Sequence, residues 1–174
     1  MIVVAFGTFG NIARRVVPGV TTLLLVFLTH LHLPLPFYAD VAPALPLIGI
    51  YYWVVFRPDL MPRILVFVIG LFQDALIGAP FGLSAMVYLL VHAFVLNQRR
   101  FLVGKPFWVF WSGFAIVAPA AETLTWLIVS TLRGAVLPYD VVLASIGLTV
   151  VLFPAIAWLL LHSQRWLIGA ADPA

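Results

Sequence analysis

The sequence contains no cysteine, and only 9% of its 174 residues are charged. The lack of cysteine excludes disulfide scaffolds and thiol catalysis. The scarcity of charge excludes a soluble domain and with it a soluble enzyme, because soluble proteins carry about 25% charged residues. Disorder is excluded as well, since 64% of the residues are hydrophobic. The chain is therefore predicted to be a membrane protein that uses lipid as its solvent.

Long apolar runs are what the chain has in abundance. A spanning helix needs about 20 residues to cross roughly 30 Å of hydrocarbon, so six such helices with tight loops use up the chain. We predict a single all-α polytopic bundle over residues 1–174. A cleaved signal peptide is disfavoured, because removing one span leaves an odd number. The six predicted transmembrane helices cover about 16–32, 41–56, 62–78, 82–97, 106–131 and 141–162.

Turn-forming segments divide these runs into three hairpins. They are a Pro-rich patch at 30–40, the sequence Gly-Ala-Pro-Phe-Gly at 78–82, and the segment 133–140. Residues 64–98 would measure about 50 Å as one helix, which is too long for a bilayer. The alternative of five spans, in which 64–77 dips in and returns, is disfavoured because it puts one basic cluster outside.

The nine basic residues set the predicted orientation. Short cytoplasmic loops retain Lys and Arg, so the clusters at 14–15, 57–63 and 99–105, together with Arg165, are expected on one face. Both termini then lie inside, and Arg133 alone lies outside. The residues expected at lipid head groups or at the cytoplasmic surface are Arg57, Arg63, Arg99, Arg100 and Lys105.

Two acidic residues, Asp74 and Glu122, lie within predicted spans. An ionisable group there costs about 2.5 to 3.5 kcal/mol by insertion scales and normally faces protein. Both acids sit in stripes of small residues at helical spacing, and small residues are enriched where membrane helices pack. The residues predicted to face a partner or a pocket are Gly70, Gln73, Asp74, Gly78, Gly82, Ala115, Ala118, Glu122 and Thr125.

Several roles are open for this acidic pair. The plainest is a structural polar contact between helices; the others are a ligand or ion pocket, proton transport and catalysis. Catalysis is disfavoured, because the sequence has no Gly-x-Ser-x-Gly, His-Glu-x-x-His or Gly-x-Gly-Asp motif. An Asp74→Asn variant is expected to fold and insert. Loss of the folded protein in this variant would mean that the carboxylate itself is structurally required. The candidate partners of the acids are Gln73, Thr123, Thr125 and Arg133.

The histidines are weaker signals. His30 and His32 lie two residues apart in the Pro-rich loop without a further His or Cys nearby, so no metal site is predicted. His92 stands alone in the fourth span, where an interhelical hydrogen bond is expected. No cofactor is predicted. Nucleic-acid binding is not supported, because topology explains the basic clusters and no phosphate-binding Gly loop is present.

An ordered set of motifs runs from about residue 50 to 162. Residues 57–62 read Arg-Pro-Asp-Leu-Met-Pro, and residues 70–83 have the shape Gly-Leu-x-x-Asp-x-Leu-x-Gly-x-x-x-Gly-Leu. This order resembles the MreD family of rod shape-determining proteins. The acid in the matching motif is Asp74, whereas Glu122 matches no family pattern. Later matches are Gln98-Arg99-Arg100-Phe101, Trp126-Leu127, Thr149 and Phe153-Pro154.

The resemblance implies a non-enzymatic scaffold of the bacterial cytoplasmic (inner) membrane that belongs to the cell-elongation machinery. It implies direct binding of MreC and, through the complex, association with MreB, RodA and the elongation transpeptidase. Such a scaffold helps couple the MreB cytoskeleton to peptidoglycan synthesis. The resemblance also implies a fold similar to the substrate-binding subunits of energy-coupling-factor transporters. Membrane lipids are further expected contacts, and self-association is left open.

Two functions from different classes therefore compete. The leading interpretation is a scaffold whose small-residue stripes admit the membrane helix of MreC by close packing. The alternative is a small-molecule-binding membrane transport subunit, with Asp74, Glu122 and His92 lining an acidic pocket. Such a subunit is expected to carry an Ala-x-x-x-Ala docking surface, and the first span offers none.

Overall fold

The structure is a computed structural model that describes residues 2–30, 42–135 and 138–169. The described residues contain no strand, and a short 3-10 turn at Pro58–Leu60 joins the second and third helices. The predicted all-α fold is confirmed. The six α-helices are α1 (Ile2–His30), α2 (Leu45–Phe56), α3 (Arg63–Ile77), α4 (Leu83–Leu102), α5 (Phe107–Arg133) and α6 (Tyr139–Gly169).

Each helix lies on one of the six predicted segments, but several ends differ. Helix α1 begins at Ile2, well before the predicted start at 16, and α6 continues past 162 to Gly169. Helices α5 and α6 are long and apolar enough to cross a membrane, whereas 16–30 and α2 are shorter apolar helices. That all six helices cross the bilayer stays a prediction. The Pro-rich loop with His32 lies outside the described residues.

Helix α2 is short because prolines bound it on both sides. It begins at Leu45 with Pro46 in its first turn, where a missing N–H has no cost. It ends at Phe56 because Arg57 precedes Pro58, and a residue before proline is disfavoured in helical conformation. Its 12 residues span about 18 Å, less than the predicted segment from 41 to 56.

Helix α2 is also the centre of the bundle. All of its residues except Phe56 are buried, which agrees with a helix that is apolar on every side. The wholly buried Tyr51 donates its hydroxyl to the carbonyl oxygen of Phe110 on α5 at 3.0 Å. The rings of Phe114 and Phe153 stack with centroids 4.3 Å apart beside it. This aromatic cluster joins α2, α5 and α6.

Polar contacts fix the end of the bundle that carries the basic residues. Arg99 Nε donates to the carbonyl oxygen of Val55 at 2.8 Å, so the C-terminal ends of α4 and α2 lie together. His92 Nε2 lies 3.0 Å from the carbonyl oxygen of Met61 in the loop before α3. The hydrogen bond expected for His92 therefore joins a helix to a loop rather than two helices. The placement of this end in the cytoplasm stays a prediction.

A tryptophan compensates for the proline inside α6. Pro154 has no N–H, so the carbonyl of Val150 lacks its intrahelical donor. The indole Nε1 of Trp111 on α5 donates to that carbonyl oxygen at 3.1 Å. An unpaired carbonyl is costly where no water is available, so this bond lets α6 continue through Pro154 while it ties α6 to α5.

Candidate functional site

Asp74, in the last turn of α3, is wholly buried. Its Oδ2 accepts the backbone N–H of Gly82 at 2.8 Å, and its Oδ1 accepts that of Ser84 at 2.9 Å. These N–H groups belong to the start of α4, where a helix leaves its first donors unpaired and favours negative charge. Asp74 therefore caps α4 from the neighbouring helix.

This cap favours one of the open roles of Asp74. None of the side chains suggested as partners binds it, and both of its oxygen atoms are occupied by backbone donors. The carboxylate is a structural polar contact between helices, which was the plainest of the alternatives. The expectation that Asp74→Asn folds normally needs revision, because an amide presents a donor to one of the two N–H groups.

The glycines of the same motif build the α3–α4 hairpin. A Cβ atom placed on Gly70 would lie 2.3 Å from the Cα of Ala85, so the two helices cross in close contact there. Gly78 and Gly82 have φ values of 67° and 96°, a region that glycine adopts without strain. Gly70 is thus covered by α4 of the same chain, whereas a Cβ on Gly78 or Gly82 would meet nothing within 4 Å. That Gly78 and Gly82 face a partner or a pocket stays a prediction.

A cavity of about 270 Å³ lies at the end of the bundle opposite Arg99, and we call it the Glu122 cavity. Five helices contribute to its wall, and most of the lining is apolar. The predicted residues Gln73, Glu122 and Thr125 meet here, whereas Ala115 and the wholly buried Ala118 do not line it. The lining residues are Ala44, Leu47, Gln73, Ile77, Ser84, Val87, Tyr88, Ala121, Glu122, Thr125, Trp126, Val129 and Val142.

The carboxylate of Glu122 has poor hydrogen-bond donors around it. The hydroxyl of Thr149 on α6 lies 3.3 Å from its Oε1, but the same hydroxyl lies only 2.7 Å from the carbonyl oxygen of Ser145. The hydroxyl of Ser145 donates to the carbonyl oxygen of Ala42 at 2.8 Å. A hydroxyl has one proton, so both of these donors are already used. Glu122 therefore keeps acceptor capacity that the described residues do not fill.

Gln73 is the second unsatisfied acceptor of the cavity. Its side chain is 6% exposed, and its Oε1 has no hydrogen-bond partner among the described residues. Asp74 and Glu122 are not joined by a hydrogen bond within the described ranges. His92 makes its contact near the opposite end, with Met61, and does not line the cavity. The candidate site is therefore built on the carboxylate of Glu122 and the side-chain amide of Gln73.

Ser84, Tyr88 and Trp126 line the cavity but were not predicted as site residues. Ser84 and Tyr88 are four residues apart and therefore share one face of α4. This spacing indicates that both belong to the site once Asp74 is known to lie beside the start of α4. Trp126 belongs to the Trp126-Leu127 match of the family resemblance, and its ring contacts that of Tyr139 on α6 with centroids 5.1 Å apart.

A family model described as rod shape-determining protein MreD matches residues 12–119. That range covers more than half of the chain and contains the α3–α4 hairpin with Gly70, Asp74 and Gly82. The chain belongs to the MreD family. No curated protein and no solved structure matches it, so the likeness of this MreD family member to energy-coupling-factor subunits stays a prediction.

Membership of the MreD family implies a role in rod shape determination. The family is described as shape-determining and membrane-associated, not as a family of enzymes, and it belongs to a system whose other components include MreC and MreB. The match begins at residue 12, earlier than the predicted resemblance, and ends at 119, before Glu122. Glu122 and the motif matches expected at 126–127, 149 and 153–154 lie beyond the matched range, so their relation to the family pattern stays a prediction.

Proposed function

We propose that this MreD family member is a multi-pass scaffold of the bacterial inner membrane that binds the membrane helix of MreC directly. All six helices cross the bilayer, and the loops at 57–62 and 103–106 face the cytoplasm. Through MreC the scaffold helps couple MreB to peptidoglycan synthesis by RodA and the elongation transpeptidase. The family assignment supports the shape-determining role, and an apolar groove supports the direct contact.

The groove lies between α4 and α5 and is the observation on which direct binding depends. It has a volume of about 180 Å³ and an almost wholly apolar lining. Leu90 and Phe94 are each 52% exposed along one wall, and Ile116 is 70% exposed along the other. The lining residues are Val87, Leu90, Val91, Phe94, Ile116, Val117, Ala120, Ala121 and Leu124.

The lining of this groove suits the packing of a single membrane helix. Helices in lipid associate through van der Waals packing, and small residues let their backbones approach closely. Ala120 and Ala121 supply such residues on α5, while the stripe of α3 around Gly70 is already covered by α4. The α4–α5 groove is therefore the place where we expect the apolar helix of MreC.

Three of the five basic residues predicted at the cytoplasmic surface are available for lipid head groups. Arg63, Arg100 and Lys105 are exposed, whereas Arg99 donates to Val55 and Arg57 forms an ion pair with Asp59 at 3.3 Å. A basic residue near an anionic membrane surface contributes about 1 kcal/mol of attraction. We propose that these three residues hold the loops at the cytoplasmic leaflet.

Filling the groove tests direct binding. Ala120 is exposed, so an Ala120→Trp variant is expected to fold while its indole occupies the space of the partner helix. We expect the amount of MreC that co-purifies in mild detergent to fall at least about tenfold, because each 1.4 kcal/mol of lost packing is a factor of ten. The matched control is Val151→Trp, at a 70% exposed position of α6 outside the groove. Equal recovery of MreC with both variants contradicts binding in the groove.

A further inference from the structure

The Glu122 cavity combines two poorly satisfied hydrogen-bond acceptors with a mostly apolar wall. Oε1 of Gln73 has no partner, and Gln73 is more than nine-tenths buried. The Glu122 carboxylate lies beside the hydroxyls of Thr149, at 3.3 Å, and of Ser145, and these two hydroxyls also contact the carbonyl oxygens of Ser145 and Ala42 at 2.7 and 2.8 Å. A buried acceptor without a donor carries a desolvation cost that a bound donor removes.

The Asp74 carboxylate, in contrast to that of Glu122, has hydrogen-bond donors for both of its oxygens. Its two oxygens accept backbone N–H groups at 2.8 and 2.9 Å. Within the described residues, Glu122 has neither a basic side chain in an ion pair nor a backbone N–H donor. When Glu122 is ionised, its negative charge has no basic counterpart among the described residues, and a bound cation is the ligand class that balances it.

Aromatic side chains in the wall favour an organic cation over a metal ion as the ligand. Tyr88 and Trp126 line the cavity together with Glu122, and aromatic faces attract organic cations through their ring quadrupoles. A bare metal ion is disfavoured, because no group of three or more His, Cys, Asp or Glu side chains able to hold one occurs in the described part of the chain. The remaining lining, which includes Leu47, Val129 and Val142, is suited to a hydrocarbon stem.

We propose that the Glu122 cavity binds a small organic cation, a primary ammonium group on a short apolar stem. The ammonium donates to Glu122 and to Oε1 of Gln73, and the stem packs against the apolar wall. A volume of about 270 Å³ lies just below the range of drug-sized pockets, which is about 300 to 1,000 Å³. The ligand is therefore small. This site shares Val87 and Ala121 with the α4–α5 groove, but Glu122 and Gln73 lie outside the groove and the site does not depend on MreC binding.

The test compares two probes of nearly equal shape on the purified full-length protein in detergent at pH 8. n-Butylammonium is charged there, because alkyl ammonium groups have pKa values near 10.4, and 1-butanol is its neutral counterpart. We expect n-butylammonium to bind at least about tenfold more tightly than 1-butanol, and to raise the unfolding temperature in proportion to its occupancy of the folded state. Isothermal titration gives the two affinities directly.

Variants separate this site from unspecific attraction to the protein. Glu122→Gln keeps the size of the side chain and removes its charge, so the preference for n-butylammonium over 1-butanol should disappear. Gln73→Met keeps the carboxylate and removes the second acceptor, and it should weaken ammonium binding severalfold. The matched control is Asp140→Asn, an exposed acid outside the cavity, which should leave both affinities unchanged.

Three results overturn the proposal. One is equal affinity of the wild-type protein for the charged and the neutral probe. Another is a preference for n-butylammonium that persists in Glu122→Gln or, where that variant does not fold, an affinity for n-butylammonium that is unchanged in Gln73→Met. The third is the absence of binding of either probe. None of these results bears on the proposed binding of MreC in the groove, because that binding is tested separately by co-purification.

Discussion

Asp74→Ala is expected to lower the free energy of unfolding by about 3 kcal/mol, since a buried hydrogen bond to a charged group contributes about 1.5 to 3 kcal/mol. The substitution removes both bonds that Asp74 makes, to the N–H groups of Gly82 and Ser84. It leaves those donors unpaired in a buried place at the start of α4. The measurement is unfolding of the purified protein in detergent, followed by the loss of helical circular dichroism.

Asp74→Asn is expected to show a smaller loss, about 1 to 2 kcal/mol, because its oxygen satisfies one N–H while its amino group faces the other. The control is Asp140→Asn, since Asp140 is an exposed acid in the first turn of α6. Equal free energies of unfolding for Asp74→Asn and this control would show that one acceptor is enough. The charge at position 74 would then make no contribution to stability.

Gly70→Ala is the second substitution with a large expected effect. The added Cβ would lie 2.3 Å from the Cα and 2.5 Å from the N of Ala85, which are backbone atoms that no side-chain rotation moves away. Helices α3 and α4 must separate to admit it. Overpacking costs about 1 to 3 kcal/mol and occasionally more, and we expect the upper end of that range in unfolding measurements.

The matched control for Gly70→Ala is Gly147→Ala. A Cβ on Gly147 of α6 meets nothing within 4 Å, and alanine favours a helix over glycine by about 0.5 to 1 kcal/mol. This variant should therefore be as stable as the wild-type protein or slightly more stable. Equal effects of the two substitutions would mean that the close crossing of α3 and α4 does not exist.

The sequence was sufficient to predict the helices, because each apolar run is bounded by a residue that stops a helix. Gly78 and Gly82 mark the turn between α3 and α4, and Pro58 follows the end of α2. The start of α1 could not be predicted from hydropathy. Residues 2–15 are helical, and the predicted span began only after the basic pair within them.

The partners of the acids were the part that the sequence could not supply. The prediction for Asp74 looked for side chains, but the actual donors are backbone N–H groups, which have no signature in the sequence. The spacing of small residues correctly indicated close helix packing at Gly70, but not that the neighbour is α4. Glu122 and Gln73 were predicted to face a partner or a pocket, and only the meeting of five helices shows the cavity that they line.

Site-specific photocrosslinking in intact cells tests directly whether the α4–α5 groove receives MreC. A photoreactive residue replaces Leu90 or Ile116 in the groove, or Val151 on α6 as the control. We expect adducts with MreC from both groove positions and none from position 151. Adducts from position 151, with none from the groove, would contradict this expectation.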